Sequence, residues 1–421
     1  MHLTPDERAM AEGAAGAAAA MAMRIVAETG RIMGAARLVP IVSAHIDGCL
    51  YHGDGGVEFA ERLVAEGGKV AVPATLNVGA LDLVHPEIVK GPAHDRAMAR
   101  RQMEAYLALG CAPSWTCAPY QAGHRPGLGE HVAWGESNAV AFLNSVLGAR
   151  SERTGDFLDI AAAIAGRAPE TGLHLDANRR AGVVVDTAAI SDELKARDVF
   201  YPVLGAWLGA AVGGAVAAIT GLGGLGRVSE DNLKALGAAA ASSGAVGLFH
   251  VVGVTPEAPT LEAALGGLPP QQTIALTPAM LRAARDALST TGAARIDAVA
   301  LGSPHFSLDE FAALERLAAG KRFGIPVYVC TGRHALEALA REGRAAALER
   351  AGVTIVADTC VVVAPILPDA APGTRVLMTN SGKFAHYTPA NTGYAVLYGS
   401  LEDCVASALT GEVRRDAAVW R

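Results

Sequence analysis

The sequence is short of aromatic residues, of charge and of cysteine. Aromatics make up 5% of 421 positions, charged residues 18%, and cysteine occurs six times. So few aromatics leave the core to Ala, Val, Leu and Gly, the composition of closely packed helices and buried strands. The net charge is only −7 and no run of Lys and Arg occurs. That excludes nucleic acid as the main partner, because phosphate backbones are met by basic patches. The scattered cysteines (Cys49, Cys111, Cys117, Cys330, Cys360, Cys404) form no Cys-x-x-Cys pair. This excludes a disulfide scaffold and a zinc finger, and points to a reducing, cytoplasmic compartment. A secretory leader is missing as well. The Ala-rich start has no basic segment and reads as one helix opened by Thr4-Pro5-Asp6-Glu7. Residues 199–226 carry no charged side chain. Their glycines and Pro202 read as a buried helix pair with a loop, not as a membrane span.

What is present is a βα rhythm. The length asks for two or three domains, here an α/β block over 1–190, a Gly/Ala-rich helical middle over 191–244, and a second α/β part over 245–421. Apolar runs read as strands at 38–45, 69–72, 183–185, 246–252, 298–301, 327–330, 353–356 and 376–378. Open α/β sheets take their ligands at the carboxyl ends of strands. Those ends carry His45 and Asp47, Asn77, Ser303-Pro304-His305, Cys360, and the loop Asn380-Ser381-Gly382-Lys383.

The stretch 116–150, TCAPYQAGHRPGLGEHVAWGESNAVAFLNSVLGAR, holds the densest chemistry. Cys117 sits in a Pro-bracketed turn, where a thiolate suits a metal or a nucleophilic role. Glu136, Ser137 and Asn138 precede a helix whose apolar face is Ala139, Leu143, Val146 and Leu147, with Gly148 as the stop. Ser137 is the expected N-cap, and a helix N-terminus beside polar side chains suits a carboxylate or a phosphate. Arg150 and Arg167 are either anion-binding groups or structural ion pairs. Three functions fit these residues: a metal-centred enzyme with its site in an inter-domain cleft, a hydrolase pairing Cys117 with His45 or His305, and a binding or regulatory protein.

The motifs HIDG, VPATLNVG, TCAPYQ, AWGESNAV with NSVLGAR, GRAP with GLHL, HVVGVTPEA, GSPH, DTC and TNSGK follow one another through the chain. In this order they resemble the large, catalytic part of aconitase X proteins, over nearly the whole length. The resemblance implies an aconitase-like multi-domain α/β/α core around an iron–sulfur cluster. It also implies a dehydratase acting on a small hydroxy acid, either cis-3-hydroxy-L-proline or mevalonate 5-phosphate. The cluster cysteines of the family fall on Cys117 and Cys360. Its third ligand, a cysteine where present, falls on Ser303. A serine is a hard, poor cluster ligand, which favours [2Fe–2S] over [3Fe–4S] or [4Fe–4S], or recruitment of Cys330 or Cys49. The same serine tilts the substrate towards hydroxyproline. The chain stops at Arg421 without the swivelling domain that single-chain members fuse there, so the resemblance implies a separate small subunit as partner.

Elimination of water from such a substrate needs a base, a Lewis acid on the hydroxyl and a carboxylate clamp. Lys383 or Ser381 is the expected base. The Ser137 helix end with Asn77 is the expected clamp. Glu136, Ser137 and Lys383 are expected in one pocket with the cluster, with His45, Asp47, Asn138, Arg150 and Arg167 as further substrate contacts.

Overall fold

Thr4 and Glu7 cap each other reciprocally and start the helix Pro5–Ala11. Gly13 and Gly16, at φ of 106° and 96°, then turn the chain into a second helix, Ala17–Ile32. The Ala-rich start is therefore two helices, because glycine alone takes those dihedrals without strain. The computed structural model describes residues 1–224 and 228–420. These form two compact units: 1–81 with 91–180, and 82–90 with 181–421.

The first unit holds strands β1 (Leu38–Pro40), β2 (Ala44–Ile46), β3 (Ala74–Leu76), β4 (Ala133–Trp134) and β5 (Arg167–Pro169). β3, β2 and β4 lie parallel in that order, and β1 pairs antiparallel with β5. The expected strand at 69–72 is displaced. Val70 and Ala71 give their N–H groups to Leu109 and Ala163, and pairing begins only beyond Pro73, which has no N–H to give. The helix Leu158–Ala165 is buried at every residue and packs on the helix Ala17–Ile32.

The second unit contains two parallel sheets. One has the order β8-β7-β6-β9, built from β6 (Val183–Asp186), β7 (Ala217–Thr220), β8 (Phe249–Val251) and β9 (Gln272–Ala275). The other has the order β12-β11-β10-β13-β14, built from β10 (Ala298–Leu301), β11 (Val327–Thr331), β12 (Val353–Ala357), β13 (Val376–Thr379) and β14 (Ala395–Tyr398). The core of the larger sheet is aliphatic and phenylalanine-rich, with Val299, Leu301, Phe306, Phe311, Val329 and Ile355 all buried. The uncharged stretch 199–226 is one helix, Phe200–Val212, followed by β7, not a helix pair. Leu225 and Gly226, at its end, lie outside the described residues. That helix lies closely on Glu230–Ser243. A Cβ at Gly205 would fall 2.2 Å from the Leu236 carbonyl, and one at Gly209 2.5 Å from that of Ala240. No helix among the described residues is long and apolar enough to cross a membrane. The α/β class with parallel sheets read from the sequence is the class observed.

Candidate functional site

In a parallel sheet whose strand order reverses, the loops on either side of the reversal leave in opposite directions and open a crevice at the strand carboxyl ends. In the first unit the reversal lies between β2 and β4. In the larger sheet of the second unit it lies between β10 and β13. Most of the residues singled out from the sequence stand at these two places.

At the first crevice, β2 delivers Asp47, β3 delivers Asn77, and β4 leads through Gly135 to Glu136, Ser137 and Asn138. Asn77 donates through Nδ2 to Asp47 Oδ1. The backbone N–H of Asp47 donates to Asp159 Oδ2 at 2.6 Å, and that of Gly48 to the same oxygen at 3.3 Å. Burial, then the neighbouring Glu136, pushes the Asp47 carboxyl well above the usual carboxylate range. Burial raises Asp159 to about 6 against its three backbone donors. Glu136, not Ser137, caps the helix Ser137–Phe142: its Oε2 accepts from Ala139 N at 2.7 Å. The longer side chain reaches over the first turn, which leaves Ser137 half-buried inside it. The helix does not run straight to Gly148. It widens to a π turn at Leu143–Leu147, a feature frequent beside functional sites.

Several buried polar atoms here find no hydrogen-bond partner among the described residues. They are Asn77 Oδ1, both amide atoms of Asn138, His45 Nε2, His124 Nε2 and Trp134 Nε1. An orphaned buried polar group costs about 1–3 kcal/mol, so such a concentration marks a surface completed by something else. Arg150 and Arg167 are engaged elsewhere in the unit. Arg150 pairs with Asp176, and Arg167 pairs with Glu7 at 3.0 Å. These ion pairs support the structural alternative for both arginines.

At the second crevice, β10 delivers Ser303 and His305, β12 delivers Thr359 and Cys360, and β13 delivers Ser381 and Lys383. Ser381 caps the helix Gly382–Thr392, accepting from Phe384 N at 3.0 Å and donating to the Ser303 carbonyl. Its hydroxyl is thus committed on both sides. His305 is fully buried, its Nε2 lies 3.3 Å from the Thr359 carbonyl, and burial lowers it to about 3. Lys383 lies close enough to lower it further. The Cys360 loop is braced by two acids. Arg333 grips Asp358 with two bonds of 2.6 and 2.7 Å, and Asp82 accepts from Ala357, Val84 and His85. A cleft of about 270 Å³ opens beside Ser303 and Ser381, floored by the buried Lys234 and Glu310.

An iron–sulfur group needs thiols that can ionise and be reached. Cys111, Cys117 and Cys360 keep 5%, 6% and 7% of their surface exposed, whereas Cys49, Cys330 and Cys404 keep none; burial pushes the Cys111 thiol up to about 12. The Cys49 thiol faces the carbonyls of Ile46, Asn77 and Val78, and burial holds it well above the ordinary thiol range. A protonated, enclosed thiol of that kind is a poor ligand. No group of three or more His, Cys, Asp or Glu suited to a metal occurs among the described residues. The first unit thus offers Cys117, and the second Cys360 and the Ser303 hydroxyl, as candidate donors.

Asp159, Thr75, His124, Lys234 and Glu310 were not anticipated. Only Asp159 carried a sequence signal, as a lone acid in the apolar run Leu158–Ala165.

Family models for the first, second and third domains of aconitase X match residues 1–177, 181–286 and 296–410. The chain is 42% identical to a cis-3-hydroxy-L-proline dehydratase of Pseudomonas aeruginosa, over 98% of this chain and 71% of that protein. It is 40% identical to a phosphomevalonate dehydratase large subunit of Methanothermobacter thermautotrophicus, over 94% of this chain and 96% of that one. Among solved structures it is similar to the holo-form of Thermococcus kodakaraensis aconitase X. The TM-score is 0.85 and the identity 34%, covering 97% of this chain and all of the other.

Proposed function

The chain belongs to the aconitase X family, and from that premise we propose that it is a hydro-lyase converting cis-3-hydroxy-L-proline to Δ1-pyrroline-2-carboxylate. The observation that carries this choice is the group of acids at the first crevice, where the Asp47 backbone donates to Asp159 and Glu136 and Asp159 each act on the Asp47 carboxyl. The ring nitrogen of hydroxyproline is a secondary ammonium and is attracted there. A phosphate monoester, with about 1.5 to 2 negative charges, is repelled. The orphaned Asn138 Nδ2 is a donor for the substrate carboxylate, and Oδ1 of Asn77 and of Asn138 are acceptors for its ammonium and hydroxyl.

Cys117, Cys360 and Ser303 would hold the iron–sulfur cluster, and two thiols with one hydroxyl favour [2Fe–2S] over the larger forms. When bound, the cluster supplies Lewis acidity to the leaving hydroxyl. Lys383 is the better candidate for the base that removes the C2 proton, since the Ser381 hydroxyl donates to Ser303 and accepts from Phe384. A separate small swivelling-domain subunit is the proposed partner, supported by the near full-length match to a protein named a large subunit.

The test is an anaerobic assay of the iron-loaded chain, alone and with its small subunit, against cis-3-hydroxy-L-proline and mevalonate 5-phosphate. Turnover of the amino acid alone is expected. Turnover of the phosphate ester alone would reverse the substrate assignment.

A further inference from the structure

On the reading that this chain eliminates water from a hydroxy acid, we infer that His124 and Thr75 form, with His45, a proton relay serving the first crevice. Its origin is strand register. His45 on β2 stands directly beside Thr75 on β3, and beside Trp134 on β4. Side chains in register on adjacent strands share one face, so the imidazole meets the hydroxyl: His45 Nδ1 lies 2.8 Å from Thr75 Oγ1. His124 arrives from the other side. After the turn Pro119–Ala122, Gly123 at φ 87° redirects the chain, and His124 N returns to the Pro119 carbonyl at 3.1 Å. Its Nδ1 then lies 2.7 Å from the same Thr75 Oγ1. Trp134 packs against both imidazoles, with ring centroids 5.5 Å from His45 and 5.1 Å from His124, and holds the row in place.

A threonine hydroxyl has one proton. Poised between two Nδ1 atoms, it donates to one and accepts from the other, so the two histidines take opposite tautomers. Both are held neutral: burial, then His124, keeps His45 well below its usual range, and burial lowers His124 to about 4. The outer ends of the row, Nε2 of each ring, close no hydrogen bond among the described residues. The Thr116 backbone also faces the His45 ring and favours its protonated form. His45 is fully buried, while the His124 side chain is partly buried with its Nε2 enclosed, so the row runs from the edge of the unit inward.

The protons balance. The C2–H bond breaks and its proton goes to the base. The freed electron pair forms the C2–C3 double bond as the C3–O bond breaks, and the resulting enamine becomes the Δ1 imine by losing a proton from nitrogen and gaining one at C3. The departing oxygen takes the proton from His45 Nε2. His45 Nδ1 takes the Thr75 hydroxyl proton, Thr75 Oγ1 takes the proton of His124 Nδ1, and His124 Nε2 takes one from water. Each ring has changed tautomer and neither has gained charge; the reverse shift after product release resets the row. Thr75 and His124 act through His45 and are positioning residues.

Nitrogen-15 NMR of the histidine-labelled full chain tests this without substrate. His45→Gln and His124→Gln assign the two rings, which are expected as opposite tautomers. Thr75→Val should abolish that opposition and Thr75→Ser should keep it. Two rings in the same tautomer, or no response to Thr75→Val, would overturn the relay. In turnover, Thr75→Val should lower kcat about 10- to 100-fold, the lower range for a positioned acid–base group. KM should stay within about twofold, and Thr75→Ser should recover most of the rate. Equal rates in the parent and Thr75→Val, or equal losses in Val and Ser, would also overturn it. Should neither hydroxy acid be turned over, the functional reading fails, and the NMR result alone decides the relay.

Discussion

The crevice between β2 and β4 and the crevice between β10 and β13 sit at equivalent points of their own sheets, yet they treat polar groups in opposite ways. In the first, the Asn138 amide, Asn77 Oδ1 and the Nε2 atoms of His45 and His124 go without partners, and carboxylates press on Asp47. In the second, Thr359 Oγ1 is orphaned too, but Ser381 is bonded on both sides, and Lys234 is enclosed by Glu310 at 2.5 Å and Asp231 at 2.7 Å. An unsatisfied crevice awaits a ligand that supplies the missing bonds. A satisfied one is already organised to hold its own catalytic side chains in place. Under the proposed function, the difference supports a recognition role for residues of the first unit and a base role for Lys383 of the second.

The most severe way to break this division is to remove the base. Lys383→Arg keeps the charge but cannot take a proton near neutral pH. Turnover should fall by about 10²- to 10⁴-fold, while calorimetry still registers substrate. Near-parental turnover would transfer the role to Ser381. Next come the proposed cluster ligands. Cys117→Ser and Cys360→Ser should each lose iron and cut activity more than about 100-fold, since even groups behind metal ligands cost 10- to 100-fold. Full iron content in either protein would refute that assignment, whereas Cys404→Ala, deep in the last helix, should retain both.

The satisfied network of the second unit predicts a stability effect. Lys234→Met leaves Glu310 and Asp231 facing each other without their cation, and breaking such a buried pair costs about 3–5 kcal/mol. Urea unfolding measures it, and a loss under about 1 kcal/mol would show that the network is not load-sharing. A smaller effect belongs to His174 in the first unit, whose Nδ1 lies 3.0 Å from that of His131. Burial, then His131, lowers it to about 3. The unfolded imidazole takes up a proton below about pH 6.5 and the folded one does not. This group's contribution is therefore complete above 6.5 and is lost as pH falls towards 3. Between pH 7 and 5 the parent should lose up to about 2 kcal/mol more than His174→Asn. An equal loss in both proteins would contradict the shift.

Much of this was legible in advance, and the reasons are physical. The strands at 298–301 and 353–356 are unbroken apolar runs closed by polar turns, so both the runs and the polar residues at their ends were visible. β9 was not, because Gln272 and Thr273 face solvent and leave no apolar signature. The cap at Glu136 was misplaced to Ser137 because local preference favours serine, while the carboxylate reached Ala139 by its length. His124 passed unnoticed because its partner, Thr75, lies on a distant strand, and only the β2–β3 register brings the two together. Within each unit the candidate residues could be found by type and by their place at strand ends. Which of them were satisfied and which orphaned is a tertiary property that no local pattern encodes.

The division of labour is tested most directly by the charge of the recognition wall, through steady-state kinetics of Asp47→Asn with cis-3-hydroxy-L-proline. Asparagine keeps the shape and the contact with Asn77 but cannot become an anion opposite the ring ammonium. KM should rise about tenfold, the equivalent of about 1.4 kcal/mol, while kcat changes less than about threefold. An unchanged KM with a collapsed kcat would contradict the account, because it would place Asp47 in the chemistry and leave the first crevice without its role in recognition.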